Sequence, residues 1–105
     1  VDALSTGDDI KNYEFALYDA YPNPFNPSTT IGYEIPYSMF ISLNIYDISG
    51  RLVKKLDNGF KNTGIHSIVW DGKDNFGNTV SNGLYIYRLD SDADISISNK
   101  IIFMK

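Results

Sequence analysis

Residues 30–47 read TIGYEIPYSMFISLNIYD, and this stretch decides the fold. Apolar side chains occupy every second position as far as Pro36, and the same alternation returns from Ile41 to Ile45. A period of two is typical of β-strands that bury one face. Proline lacks the backbone N–H that a strand ladder requires, so Pro36 ends the first run. The stretch therefore predicts two successive strands, 30–35 and 40–47.

Five further apolar segments lie outside this stretch, each bounded by residues that favour turns. The seven predicted strands are 15–18, 30–35, 40–47, 51–56, 65–70, 84–89 and 95–104. Lys54 and Lys55 suggest that the fourth strand lies at a sheet edge. Gly59 and Gly64 predict two turns, one on each side of Phe60. Seven short strands without helical periodicity predict an all-β fold, a seven-stranded antiparallel Ig-like β-sandwich.

Length and composition constrain the number of domains and the classes of partner that the chain can bind. A chain of 105 residues corresponds to one domain. Residues 1–14 are polar and predict a linker to a missing upstream domain, whereas residues 15–105 form the predicted sandwich. Because the sequence begins at Val1, we expect it to be a piece of a longer protein. The nine Lys and Arg against thirteen Asp and Glu give a net charge of −4 without a basic cluster, which argues against nucleic-acid binding.

Few residues suggest catalysis or a cofactor. The absence of cysteine excludes disulfides and thiolate zinc sites, and His66 is the single histidine. Neither a nucleophile-elbow motif nor a Gly-rich phosphate loop occurs, so we expect no enzymatic activity and no cofactor. No apolar run approaches the ~20 residues that a transmembrane helix needs. Trp70 shares one face of its strand with Ile68 and His66, which predicts a core tryptophan.

The loop from Asp71 to Asn78 is a weak calcium candidate. Oxygen-bearing side chains lie at Asp71, Asp74, Asn75 and Asn78. The spacing fails the EF-hand pattern, because Phe76 occupies the position of the invariant glycine. A turn stabilised by the Asp and Asn side chains is therefore the preferred interpretation.

Three stretches, taken together in this order, resemble one known family. They are residues 21–31 (YPNPFNPSTTI), 45–53 (IYDISGRLV) and 70–89, which begin WDGKDNFGN and end GLYIYRL. They resemble the type A C-terminal sorting domain of type IX secretion cargo, a domain that is similar to the Ig-like domain of the flagellar hook-capping protein. Residues 100–105 (KIIFMK) resemble the short, lysine-bearing strand with which such sorting domains end.

The resemblance implies a function in export. A domain of this kind is carried at the end of a larger protein and is recognised by an outer-membrane translocon. A surface sorting protease then cleaves within the preceding linker. The implied destination is the cell surface or the medium, reached through the periplasm of a Gram-negative-type bacterium. The expected partners are the translocon, the protease and the upstream cargo domain of the same chain, and we expect the domain to be a monomer.

The resemblance also selects candidate recognition residues. They are Asn23, Pro24, Phe25, Asn26, Pro27, Gly83, Tyr85, Tyr87, Lys100 and Lys105. A purely structural interpretation of the proline-rich part remains open, in which Tyr21 and Phe25 anchor a stiff crossover in the core.

Two alternative functions also remain open. The domain could be a structural spacer or assembly module, because a fold does not fix a function. Its eight tyrosines also suggest a carbohydrate-binding accessory module. Against that, Tyr33, Tyr85 and Tyr87 fall on predicted inward faces.

Overall fold

The computed structural model describes residues 12–105, which form seven strands. The strands are β1 (Ala16–Leu17), β2 (Thr29–Ile35), β3 (Met39–Tyr46), β4 (Leu52–Lys61), β5 (Gly64–Trp70), β6 (Gly83–Ser91) and β7 (Ser96–Phe103). One sheet has the order β1-β2-β5 and the other the order β4-β3-β6-β7. All paired strands run antiparallel. The predicted seven-stranded antiparallel sandwich is confirmed.

The core lies between the two sheets and follows the sequence alternation. Every second residue of β2 and β3 is buried, from Ile31 to Ile35 and from Met39 to Ile45. Trp70, Tyr85 and Tyr87 complete the aromatic part of the core. Burial of these large side chains removes most of their apolar surface from water, which is the main force that holds the sheets together. The predicted inward faces of these strands are confirmed.

Strand β4 corrects one prediction. It continues without interruption to Lys61, so the predicted turn before Phe60 is wrong. Gly59 has a φ of 139° but pairs with Ile41, and Phe60 pairs with Phe40 on the neighbouring strand. Glycine tolerates this φ inside a strand, so the ladder with β3 continues through it. The prediction that the lysine-bearing strand lies at an edge is confirmed by the sheet order.

The remaining boundaries differ from the predicted ones by a few residues, and β6 extends to Ser91. Of the predicted linker 1–14, positions 1–11 lie outside the described residues. Within the described part, the Glu14 N–H donates to Glu34 Oε2 over 2.7 Å as the chain approaches β1. No helix within residues 12–105 is long and apolar enough to cross a membrane.

Candidate recognition site at the last strand

The proline-rich segment pairs with the last strand, β7. We call residues 19–27 the strap. The Phe25 N–H donates to the Ile102 carbonyl oxygen over 3.0 Å, and the Met104 N–H donates to the Phe25 carbonyl oxygen over 3.2 Å. These bonds form an isolated parallel bridge between Phe25 and Phe103. Because β7 is the outermost strand of the four-stranded sheet, the strap covers part of its edge.

The Asn23 side chain takes the place of backbone pairing between two prolines. Its Oδ1 accepts from the Ile102 N–H over 3.0 Å, and its Nδ2 donates to the Lys100 carbonyl oxygen over 3.4 Å. Pro22 and Pro24 have no N–H to donate, whereas an asparagine amide offers both a donor and an acceptor. The Asn23 side chain therefore keeps the strap bonded to β7 where the prolines of the strap have no backbone N–H to donate.

Phe25 anchors the strap in the core. Its side chain is 1% exposed, and its ring centroid lies 5.1 Å from that of Trp70 and 4.9 Å from that of Phe103. Gly72 closes this pocket, because a Cβ there would lie 3.2 Å from the Phe103 ring. The Trp70 Nε1–H donates to the Lys73 carbonyl oxygen over 2.9 Å, which ties the following loop to the same cluster. The predicted core role of Phe25 is confirmed.

Tyr21 does not share that role. Its side chain is 81% exposed, so the prediction that it anchors the crossover is wrong. The backbones of Tyr21 and Thr30 exchange two hydrogen bonds of 3.0 Å. Ala20, the preceding residue, is buried. In extended chain, neighbouring side chains point to opposite faces, so burial of Ala20 turns Tyr21 outward.

Two of the candidate residues on β6 act from inside the domain. The Tyr87 hydroxyl donates to the Tyr18 carbonyl oxygen over 2.8 Å and accepts from the Ala20 N–H over 2.9 Å. The Tyr85 hydroxyl donates to the Ser81 carbonyl oxygen over 2.7 Å. Burial raises the pKa of both tyrosines above its ordinary value. Tyr87 thus fixes the chain at the start of the strap.

The other candidate residues lie at or near the surface. Gly83 begins β6 opposite Phe103 on β7 and has a φ of 149°, which favours glycine. The remaining six are exposed: Asn23, Pro24, Asn26, Pro27, Lys100 and Lys105. They present amide groups, rigid prolines and two cationic side chains. Such a surface can form hydrogen bonds and attract acidic groups on a partner.

Sequence reasoning missed three polar residues that help to hold β7. The Asn99 Nδ2 donates to Asp19 Oδ1 over 2.7 Å, and the Lys105 N–H donates to Asn82 Oδ1 over 2.9 Å. Asp19 and Asn99 are 80 positions apart in the sequence. Pairs this distant leave no periodic or local signal, whereas Asn82 precedes Gly83 in an Asn-Gly pair, a sequence that favours a turn.

The weak calcium candidate is a turn held by its own side chains. Asp74 Oδ1 accepts from the N–H groups of Phe76 and Asn78, each over 2.9 Å. Asp71 Oδ1 accepts from the Lys73 N–H over 3.1 Å. Asn75 Oδ1 accepts from the N–H of Lys55 over 3.0 Å and so attaches the loop to β4. No group of three His, Cys, Asp or Glu side chains able to hold a metal occurs in residues 12–105.

A groove of about 480 Å³ lies beside this loop. Arg51, Val53, Phe76 and Val80 are among the residues that line it. The Phe76 side chain is 89% exposed. Its ring is thus available for contact with a partner.

Residues 30–94 match the family model of the FlgD Ig-like domain. The curated relatives include the basal-body rod modification protein FlgD of Salmonella typhimurium, which is 42% identical over 45 residues. The FlgD of Salmonella typhi matches to the same extent. The match covers 43% of this chain and 19% of each relative. The chain therefore spans about a fifth of the length of these proteins.

Two solved structures from Porphyromonas gingivalis share the fold. Dimeric latent PorU superposes with a TM-score of 0.69 and 23% identity, over 90% of this chain and 10% of PorU. PorZ, an essential bacterial surface component of the type-IX secretion system, gives a TM-score of 0.59 and 21% identity, over 85% of this chain and 11% of PorZ. At these identities the likeness shows a common fold.

Proposed function

The chain belongs to the FlgD Ig-like domain family, and from this starting point we propose that it is a non-catalytic sorting module. In this proposal the domain lies at the C-terminal end of a larger protein. It directs that protein through the outer membrane by type IX secretion, to the cell surface or the medium. The proposed partners are the outer-membrane translocon, a surface sorting protease that cleaves in the linker, and the cargo domain that precedes the linker.

The pairing of the strap with β7 is the observation that carries the proposal. Both elements lie outside the family match, which covers residues 30–94. The two flanks are joined by backbone bonds at Phe25 and side-chain bonds at Asn23. They support a composite surface that combines exposed prolines and amides with Lys100 and Lys105.

The fold likeness to PorZ adds support from a second direction. PorZ is a component of the type-IX secretion system, and its similarity extends over 85% of this chain, farther than the family match. The proposed role involves binding alone. The groups at the proposed surface are amides, prolines and lysine side chains, which recognise a partner without forming or breaking covalent bonds.

A structural spacer or assembly module is the second candidate. The observation that favours it is the FlgD relationship, because the matched proteins contain this domain as about a fifth of a longer chain. A spacer would hold neighbouring parts of one protein at a fixed separation and would need no receptor.

A fusion experiment separates the two. We expect residues 1–105, fused behind a periplasm-targeted reporter in a type IX-competent cell, to bring the reporter to the surface or the medium. The reporter without the domain should remain in the periplasm. Cleavage is expected within residues 1–14, because exposed polar tethers are where proteases find accessible backbone. A folded fusion that stays in the periplasm would reject sorting and favour the spacer.

Truncation alone is a poor test of the last strand. Removing residues 100–105 should trap the reporter in the periplasm, but Ile101 and Phe103 are 0% and 2% exposed. Their loss would open a cavity in the core and destabilise the fold. Point substitutions at exposed positions are therefore needed to separate recognition from folding.

A further inference from the structure

Strand β5 forms an edge that lacks the usual protection. Of the other outer strands in residues 12–105, β1 has two residues, β7 is covered in part by the strap, and β4 carries lysines and two register shifts. Charges, bulges and coverage are the devices by which proteins prevent edge strands from pairing. By contrast, β5 reads GIHSIVW, without Lys, Arg, Asp, Glu or Pro, and its register with β2 is continuous.

The hydrogen bonds of β2 show which backbone groups of β5 face outward. The Gly32 carbonyl oxygen accepts from the Tyr18 N–H over 2.9 Å, so the polar groups of Gly32 face β1. Ser67 lies opposite Gly32 in the antiparallel register, and its own N–H and C=O therefore point away from β2. By the same alternation, the groups at the open edge belong to Ile65, Ser67 and Val69.

The side chains at these positions are also accessible. Ile65 is 63% exposed and Val69 is 56% exposed, and the Ser67 side chain between them is exposed as well. No hydrogen bond from elsewhere in the described chain reaches the outward backbone groups of the three residues. The edge thus offers three N–H donors and three C=O acceptors beside two β-branched apolar side chains.

We propose that this edge pairs with β5 of a second copy of the chain. An antiparallel arrangement with its two-fold axis at Ser67 places Ser67 opposite Ser67 and Ile65 opposite Val69. Residues whose polar groups face the partner form the pairs that exchange two hydrogen bonds each. The two three-stranded sheets would then become one sheet of six strands.

Self-complementarity is the reason to choose a second copy over another extended segment. A two-fold interface uses the same patch twice, so every residue must suit its symmetry mate. Here apolar side chains meet apolar ones, and small hydroxyls meet at the centre. On the inward face, His66 would lie opposite Ile68. No pair brings like formal charges together, which in a sheet would destabilise the contact.

The expected dimer is weak. Two strands of seven residues bury less than the ~1,200 Å² at which stable interfaces begin. Association should therefore depend on concentration and be reversible. From the sequence we expect a monomer, and the β5 edge is the feature that argues for a dimer at high concentration.

Sedimentation equilibrium over a wide range of protein concentration tests the proposal, together with hydrogen exchange of the Ser67 and Val69 amides. We expect the mean mass to rise toward that of a dimer, and exchange of both amides to slow as it does. Ser67→Lys would place two lysines opposite each other and should abolish both effects. Val69→Lys provides a second variant at the same edge. Ser96→Lys, at an exposed serine of β7, is the matched control and should dimerise like the parent.

Three results would overturn the proposal. The first is a monomeric mass at every concentration. The second is a dimer that persists in a folded Ser67→Lys or Val69→Lys variant, because association would then use another surface. The third is strong protection of the Ser67 amide at low concentration, since another part of the same chain would then cover the edge. Thermal melts at low concentration verify that each variant is folded.

Discussion

At the scale of single residues, Trp70 is the largest of the fully buried side chains in residues 12–105. It is fully buried and contacts the rings of Phe25 and Tyr85, with centroid distances of 5.1 and 5.5 Å. We expect Trp70→Ala to lower the free energy of unfolding by about 3 to 5 kcal/mol, because it leaves a large cavity. Chemical denaturation measures this change.

Phe76→Ala is the matched control for this substitution. It also removes an aromatic ring, but from a side chain that is 89% exposed, so the cost should be no more than about 0.5 kcal/mol. Equal costs for the two variants would contradict the burial of Trp70 in the core.

The lowered pKa of Asp47 predicts how the stability of the fold changes with pH. The Ser49 hydroxyl, and then the N–H groups of Arg51 and Ser49, hold the pKa of Asp47 at about 2, below its usual 3.8. A carboxyl group with a lowered pKa stabilises the fold above its unfolded pKa and loses that effect as the pH falls through the folded value. The parent should therefore be more stable than Asp47→Asn at neutral pH.

The difference between the two proteins should shrink as the pH falls from about 3.8 to about 2. Melting temperatures across this interval provide the measurement. Asp92→Asn, at an exposed carboxyl, should follow the parent throughout. A difference between parent and Asp47→Asn that stays constant with pH would contradict the assignment.

At the scale of elements, the strap should control the exposure of β7. Asn23→Ala removes the acceptor of the Ile102 N–H and the donor to the Lys100 carbonyl oxygen. We expect faster hydrogen exchange at Ile102 and a loss of about 1 kcal/mol in unfolding free energy, the usual net value of such bonds. Asn26→Ala, at another exposed asparagine of the strap, is the control. Unchanged exchange at Ile102 would mean that Asn23 does not hold the strand.

The strands were predictable because their signal is local. The alternation around Tyr33 and Leu43 places both side chains in the core, as the structure confirms. Pairing between Phe25 and Phe103 was not predictable, because neither residue carries information about a partner far along the chain. Gly59 misled for a different reason. A glycine that favours a turn is also tolerated within a strand when the neighbouring strand continues the ladder.

At the scale of the whole molecule, we expect folding without metal. The oxygen atoms of Asp71, Asp74 and Asn75 already accept backbone N–H groups. Melting curves with calcium and with a chelator should therefore coincide. A rise of more than about 5 °C with calcium, roughly 1 kcal/mol for a domain of this size, would establish a site in this loop.

The central claim is that an export receptor recognises the surface formed by the strap and β7. The most direct measurement is the exported fraction of a reporter fused to three forms of the domain. These forms are the parent, the Lys100→Gln and Lys105→Gln double variant, and a control in which Lys54 and Lys55 on β4 are both replaced by glutamine. Lys54 and Lys55 lie on β4, at one edge of the four-stranded sheet. Lys100 lies on β7 at the other edge, and Lys105 lies just beyond the end of β7. Each double variant therefore removes two positive charges.

Both double variants should change stability by no more than about 0.5 kcal/mol, as expected for surface substitutions. We predict that the control is exported like the parent, whereas the Lys100 and Lys105 variant accumulates in the periplasm as a folded protein. Equal export of all three forms would contradict recognition through the charges of the last strand. Retention of all three would contradict sorting altogether.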